Sequence, residues 1–228
     1  PDIIDYLLQH LLGVPASHAR NRLTMLCAHD ASPRPLTEKI LERPRLLQRI
    51  RYAIRNPEEA YLSVFNATPL ERKLAVLLGI PLNGADPALT HHGSKSGSRK
   101  IFREAGVLHP AGFEDLRDEQ EVLAALTDLR VIRPGLRKAV VKLNESFSGE
   151  GNAIFRYPSG SGRVAMRRAL SQLHFIAPSE QRAAYFEKYR AMGGIVEEFV
   201  EGAEIRSPSA QLRTGPRGEV IPISTHDQ

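Results

Sequence analysis

Near the middle of this chain a lysine is followed at short range by serines and glycines, a combination suited to holding a phosphorylated ligand. The run Val140 to Phe155, VVKLNESFSGEGNAIF, sets Lys142 in an apolar stretch and follows it with Ser146, Ser148, Gly149 and Gly151. The apolar residues around Lys142 read as a strand. The glycines free backbone N–H groups to turn towards phosphate oxygens, and the lysine adds a fixed charge. A second cationic group precedes it in KSGSRKIFREAGVLHP, where Lys95, Arg99 and Lys100 lead into a helix ending near Gly106. Ser/Gly enrichment there also fits a plain linker. A P-loop is excluded, because Gly-Lys-Ser is absent and no glycine stands at the required spacing before Lys95.

The third stretch, GIVEEFVEGAEIR from Gly194 to Arg206, carries Glu197 and Glu198, then Phe199 and Val200, then Gly202 and Glu204. It reads as a strand leading through a bend into another strand. Backbone groups at such a bend are free to pair with a planar heterocycle, and a carboxylate just beyond could accept bonds from ribose hydroxyls. Taken alone, the stretch reads more simply as a surface hairpin with solvated acids. Nucleophilic chemistry finds less support. Cys27 lies in RLTMLCA, which reads as a short buried strand, and fits a small core residue better than a nucleophile. His29 and Asp30 close that strand with no third partner in view.

At 228 residues, 42% apolar and 25% charged, the composition is that of one or two globular domains rather than a disordered chain. The net charge of +5 fits a partner rich in phosphate or carboxylate, yet basic and acidic residues are interleaved along most of the length. Nucleic acid is therefore disfavoured as a partner: aromatics are few, and no known nucleic-acid motif is present. A single cysteine rules out an intrachain disulfide and suits a reducing cytosol. No apolar run approaches the ~20 residues of a membrane span, and no signal peptide opens the chain, so a cytoplasmic protein is expected. The start on Pro1 and the close on the strand-like VIPISTHDQ suggest part of a longer protein.

Apolar periodicity predicts the elements that position these residues. Helices are expected over Asp2 to Leu12 and Leu36 to Ile54, the second with Arg43, Arg45, Arg49 and Arg51 scattered off its apolar side. Those arginines read as a solvated face before they read as an anion-binding one. Thr68, Pro69 and Glu71 form a capping-box start for a helix running to Leu78 before Gly79. Strands are expected at Tyr61 to Asn66 and Ile80 to Asn83, so that strand and helix alternate from Met25 to Pro87 as in an α/β layer with a parallel sheet. Further on, helices are expected at Asp118 to Arg130, Arg163 to Leu173 and Ser179 to Met192, the last capped by Ser179 and stopped by Gly193 and Gly194. Ala139 to Leu143 and Ala153 to Tyr157 form a hairpin around the glycine loop. Ser209 to Arg213 and Val220 to Ser224 form a closing antiparallel pair.

These stretches, in this order, resemble the ATP-grasp superfamily of carboxylate-activating ligases. More narrowly, ERPRLLQRIR, TPLERKLAVLLGIPLNGADP, KSGSRKIFREAGV, KLNESFSGEGN and ISTHDQ look like the pheganomycin-type peptide ligases. The resemblance covers Leu36 onward and, more weakly, the first helix. It implies a pre-ATP-grasp α/β region over residues 1–93 and an α+β ATP-grasp region over 94–228, incomplete at its C-terminus. It matches Lys95, with Lys100 as the weaker candidate, to the first ATP-binding lysine and Lys142 to the second, near adenine and the α-phosphate. Ser146, Ser148, Gly149 and Gly151 match the loop closing over the triphosphate, and Glu198, Phe199 and Val200, after Glu197, match the adenine hinge. Glu204 matches the ribose-binding acid. Arg206, His226, Asp227 and Gln228 fall where such folds put substrate- or phosphate-facing residues, Arg206 as a catalytic candidate beside Lys142. The implied activity is amide formation between a carboxylate and an amine or peptide through an acyl phosphate, with ATP and Mg²⁺. The Mg²⁺ ligands are expected beyond Gln228. A homodimer is compatible with this resemblance. The alternatives are a catalytically inactive nucleotide-binding relative and a basic nucleic-acid-binding module with Arg43 to Arg55 as its footprint, which predicts salt-dependent binding.

Overall fold

The structure, a computed structural model, describes residues 2–7, 13–147, 149–160, 162–215 and 217–227. Two compact units divide after His91.

In the first unit the expected opening helix is present as α1 (Asp2–Asp5), while residues 8–12 lie outside the described residues. A short α2 (Ala16–Arg20) follows. The buried strand expected at Arg22 to Ala28 is absent: no described strand pairs with it, Met25 is 68% exposed, and Cys27 is exposed rather than in the core. Its backbone is held by local bonds instead, from Leu23 N–H to the Arg20 carbonyl and from His29 N–H to Cys27 Sγ. Asp30 turns out to be structural, pairing with Arg43 at 3.0 Å and Lys39 at 3.7 Å.

The single helix expected from Leu36 to Ile54 is two, α3 (Leu36–Leu41) and α4 (Pro44–Ala53). Pro44 opposes helical geometry at Arg43 and then serves as the first residue of α4. Strand β1 is only Leu62–Ser63 and pairs in parallel with β2 (Leu82–Asn83), a short version of the expected parallel sheet. Ala60 and Leu62 pack on the core of this unit, whereas Tyr61 and Phe65 are exposed, so YLSVFN is not a buried strand. Between β1 and β2, α5 (Pro69–Leu78) has the anticipated capping box. Thr68 Oγ accepts from Leu70 N–H, Glu71 accepts from Thr68 N–H, and Gly79 ends the helix in the left-handed region. Leu74, Leu78 and Ile80 form the core, packed by Leu47 and Ile50 of α4.

The second unit begins with α6 (Lys95–Glu104), β3 (Gly112–Leu116), α7 (Glu119–Ile132), β4 (Lys138–Leu143) and β5 (Asn152–Arg156). It continues with α8 (Arg163–Ser171), β6 (His174–Phe175), α9 (Arg182–Met192) and β7 (Gly194–Glu198). The strands form one antiparallel sheet in the order β3-β7-β4-β5-β6. Helix α9 starts three residues later than anticipated, after Gln181, and Ser179 does not cap it. Strand alternation then assigns the two faces of the sheet. Ala139, Val141 and Leu143 of β4, Ala153 and Phe155 of β5 and Val196 of β7 face a core built with α7, α8 and α9. Lys142 and Glu197 therefore project from the opposite face, where α6 lies.

Beyond β7, residues 199–207 contain no strand, so the expected strand–bend–strand does not form. Val200 and Ile205 are 65% and 72% exposed and gain nothing from alternation. The chain resumes with the anticipated antiparallel pair, β8 (Pro208–Thr214) and β9 (Val220–Asp227), each longer than expected.

Candidate functional site

The face opposite the core gathers the cations singled out in the sequence. Register pairs Lys142 with Ile195 and Val140 with Glu197, so Lys142 and Glu197 are diagonal neighbours on adjacent strands. The Lys142 ammonium ion-pairs with Glu197 Oε1. The other oxygen of Glu197 accepts from Arg99 Nη1 at 3.0 Å, and both side chains are nearly buried, at 6% and 11% exposed. Arg99 also donates to the Pro110 carbonyl at 2.9 Å and to Glu114 at 3.3 Å, and Glu114 binds Arg103 as well. A buried, permanently charged guanidinium needs this many acceptors.

Lys95 is the first residue of α6, and its ammonium donates to Ser146 Oγ at 3.0 Å across the mouth of the glycine loop. Burial is the largest cause holding its pKa below the ordinary lysine value. The like charge of Lys142 adds to the shift, and Glu197 and Glu145 oppose it. A polyanion bound beside Lys95 would relieve that like-charge repulsion.

The pin that holds this geometry is Asn144, which sequence reasoning passed over. Its Oδ1 accepts from Ser96 N–H at 3.0 Å and Ser96 Oγ at 2.7 Å, and its Nδ2 donates to the Met192 carbonyl at 3.0 Å. The Asn144 carbonyl accepts from Lys95 N–H at 3.2 Å. One side chain thereby ties the start of α6, the end of β4 and the end of α9. Its position directly after a strand carrying Lys142 was the available signal.

The loop between β4 and β5 closes on itself through bonds from Glu150 N–H to the Phe147 carbonyl and from Asn152 N–H to the Gly149 carbonyl. Gly149 has φ of 79°, where glycine is favoured. Gly151 is required for space: a Cβ there would lie 2.6 Å from Ser146 Oγ. Ser148 lies outside the described residues.

Other candidates fall elsewhere. Lys100 is exposed and pairs with Asp115 at 2.5 Å. Glu198 accepts from Ala111 N–H at 2.8 Å and from Arg133 at 3.1 Å, and the sheet ladder ends with Phe199 N–H on the Lys138 carbonyl at 3.3 Å. Lys138 Nζ stands 5.2 Å over the Phe199 ring. Glu204 and Arg206, both 70% exposed, pair with each other at 2.6 Å. His226 is exposed in β9, its Nε2 3.1 Å from Ser224 Oγ, and Gln228 lies outside the described residues.

Residues 87–157, which carry Lys95, Lys142 and the glycine loop, match the family described as IQCH-like, ATP-grasp. Over 240 residues the chain is 30% identical to an L-propargylglycine–L-glutamate ligase of Streptantibioticus cattleyicolor, covering all of this chain and 48% of that protein. The similarity to an ATP-grasp family thus extends over about a third of the chain, residues 87–157. A second curated relative, IQ motif-containing protein H of Danio rerio, is 25% identical over 250 residues, covering 93% of this chain and 24% of that protein. The chain therefore spans less than half the length of either curated relative. A solved structure, D-alanyl-alanine synthetase A of Vibrio cholerae O1 biovar eltor, aligns at a TM-score of 0.44 with 10% identity, over 72% of this chain and 44% of that one.

As a test of fit, Lys95, Lys142, the Ser146 hydroxyl and the glycine loop offer cations and donors of the kind the phosphates of ATP require. No group of three or more His, Cys, Asp or Glu placed to hold a metal occurs among the described residues. No described helix is long and apolar enough to cross a membrane.

Proposed function

We propose that the protein containing this chain is an ATP-dependent ligase that joins a carboxylate to an amine. The observation carrying this reading is Lys95 set against Ser146 of the glycine loop, with Lys142 on β4, the strand that leads into that loop. In phosphoryl transfer the protein's task is mainly positioning and charge neutralisation, which lysines and loop N–H groups supply without a nucleophile–base pair. Lys95 and Lys142 hold the phosphates, and Ser146, Ser148, Gly149 and Gly151 close over them. Glu198, Phe199 and Val200, next to Glu197, border adenine. Glu204 takes the ribose and Arg206 a phosphate or substrate carboxylate, for which their mutual ion pair must open. Lys100, paired with Asp115, serves the fold. The substrate carboxylate takes up the transferred phosphoryl group with release of ADP, and the amine then displaces phosphate at the acyl carbon. Mg²⁺ would supply further neutralisation of phosphate charge, and no ligand for it is assigned among the described residues. The curated ligase relative is named for two amino acids, so amino acids or short peptides are the first substrates to try.

Lys142→Ala should weaken ATP binding at least tenfold, about 1.4 kcal/mol, by calorimetry on the full-length protein. Unchanged affinity would remove Lys142 from the site. An ADP-release assay with a panel of amino acids and short peptides then tests turnover. Nucleotide binding without substrate-stimulated release across the panel would favour a nucleotide-binding relative without ligase activity, a reading that the IQCH-like match keeps in play.

A further inference from the structure

Glu197 poses a problem for any role of Lys142 on phosphate. A carboxylate at 11% exposure holds the Lys142 ammonium directly, and an anionic ligand must compete with it. Were Lys142 the sole partner, the pair would be one-to-one and poorly solvated, and separating it would strand a buried negative charge. The structure provides a second cation. Arg99 binds the other oxygen of Glu197 at 3.0 Å. Arg99 is itself fixed by the Pro110 carbonyl and Glu114, and its side chain is only 6% exposed. Lys142, at 24%, is the most exposed member of the trio, and its ammonium sits on a flexible stem. One partner of Glu197 is locked and the other can turn away.

We propose that Arg99 is a positioning residue: by neutralising Glu197 permanently, it leaves Lys142 free to exchange that carboxylate for a phosphate of the nucleotide. Glu197 then parks Lys142 in the nucleotide-free state and Arg99 keeps Glu197 satisfied after the lysine has turned. This rests on the ATP-binding reading above, and Arg99 need not touch the ligand.

The test is a double-mutant cycle on the full-length protein, with ATP as the calorimetric probe and KM for ATP measured beside kcat. Arg99→Met should weaken ATP binding about tenfold, because the charge-assisted bond that offsets Glu197 is lost. KM for ATP should rise more than kcat falls. Arg99→Lys should recover part of the loss. Combining Arg99→Met with Glu197→Gln should restore affinity to within about threefold of Glu197→Gln alone, since a neutral amide no longer holds the lysine. Arg99→Gln, which keeps a donor for the Pro110 carbonyl, gives a second uncharged replacement should the methionine variant not fold, with the same expected loss. A merely structural Arg99 would give multiplicative losses in the double variant, and that result overturns the proposal. So does an uncharged replacement within about twofold of wild type. Wild-type protein that fails to bind ATP would instead refute the ATP-site reading itself.

Discussion

Replacing Asn144 by alanine should cost the chain more stability than its half-buried position suggests. The side chain makes three bonds, two accepted from Ser96 and one donated to the Met192 carbonyl. Ser96 is 2% exposed, so its N–H, one of the orphan donors at the start of α6, would be stranded together with its hydroxyl hydrogen. The hydroxyl would still accept from Asp115 N–H at 3.0 Å, so Ser96 cannot simply swing out to water. An unsatisfied buried donor costs about 1–3 kcal/mol, and some water will reach the vacated space, so a total of about 2–4 kcal/mol is expected. For a chain of this size that is a fall in Tm of roughly 5–15 °C. Asn144→Asp keeps the acceptor for Ser96 but turns a carboxylate oxygen towards the Met192 carbonyl, so a loss of about 1–2 kcal/mol should remain. Urea unfolding of both variants beside wild type reads the difference. A loss within about 0.5 kcal/mol for Asn144→Ala, the scale of an ordinary surface change, would refute the role given to this residue.

Gly151→Ala places a methyl against Ser146 and should cost about 1–3 kcal/mol by overpacking, while displacing the hydroxyl that receives Lys95. Calorimetry should therefore show weaker ATP binding together with the lower Tm, and a silent substitution would mean that the loop yields freely. Lys95 has its pKa lowered from 10.5 by burial and by Lys142, so neutralising phosphates should raise it again in the complex. Protons are then taken up on binding, and ATP affinity falls as pH rises through the depressed free-state value on the alkaline side. Calorimetry in buffers of different ionisation enthalpy measures that uptake, which Lys95→Met should abolish.

Much of the architecture was legible because it rests on local chemistry. The capping box at Thr68, the helix stop at Gly79 and the hairpin flanking the glycine loop each depend on a few neighbouring residues, and each appears in the structure. Apolar runs misled where nothing local distinguishes a paired strand from an unpaired one. RLTMLCA and YLSVFN have strand composition, but pairing is a tertiary event, and Met25 and Phe65 remain exposed.

The same division applies to the site. Sequence alone singled out Lys95, Lys142, Ser146 and the glycines, because side-chain charge and backbone freedom belong to the residues themselves. The tertiary structure decided what those residues face. Strand register placed Glu197 diagonal to Lys142, and strand alternation turned both away from the core. Residues distant in the chain, Arg99 and Glu197, became partners only when α6 settled on that face. Asn144, an unremarkable polar residue after a strand, became the joint between three elements for the same reason: a hydrogen bond acts over about 3 Å of space, and sequence distance says nothing about which groups will come that close.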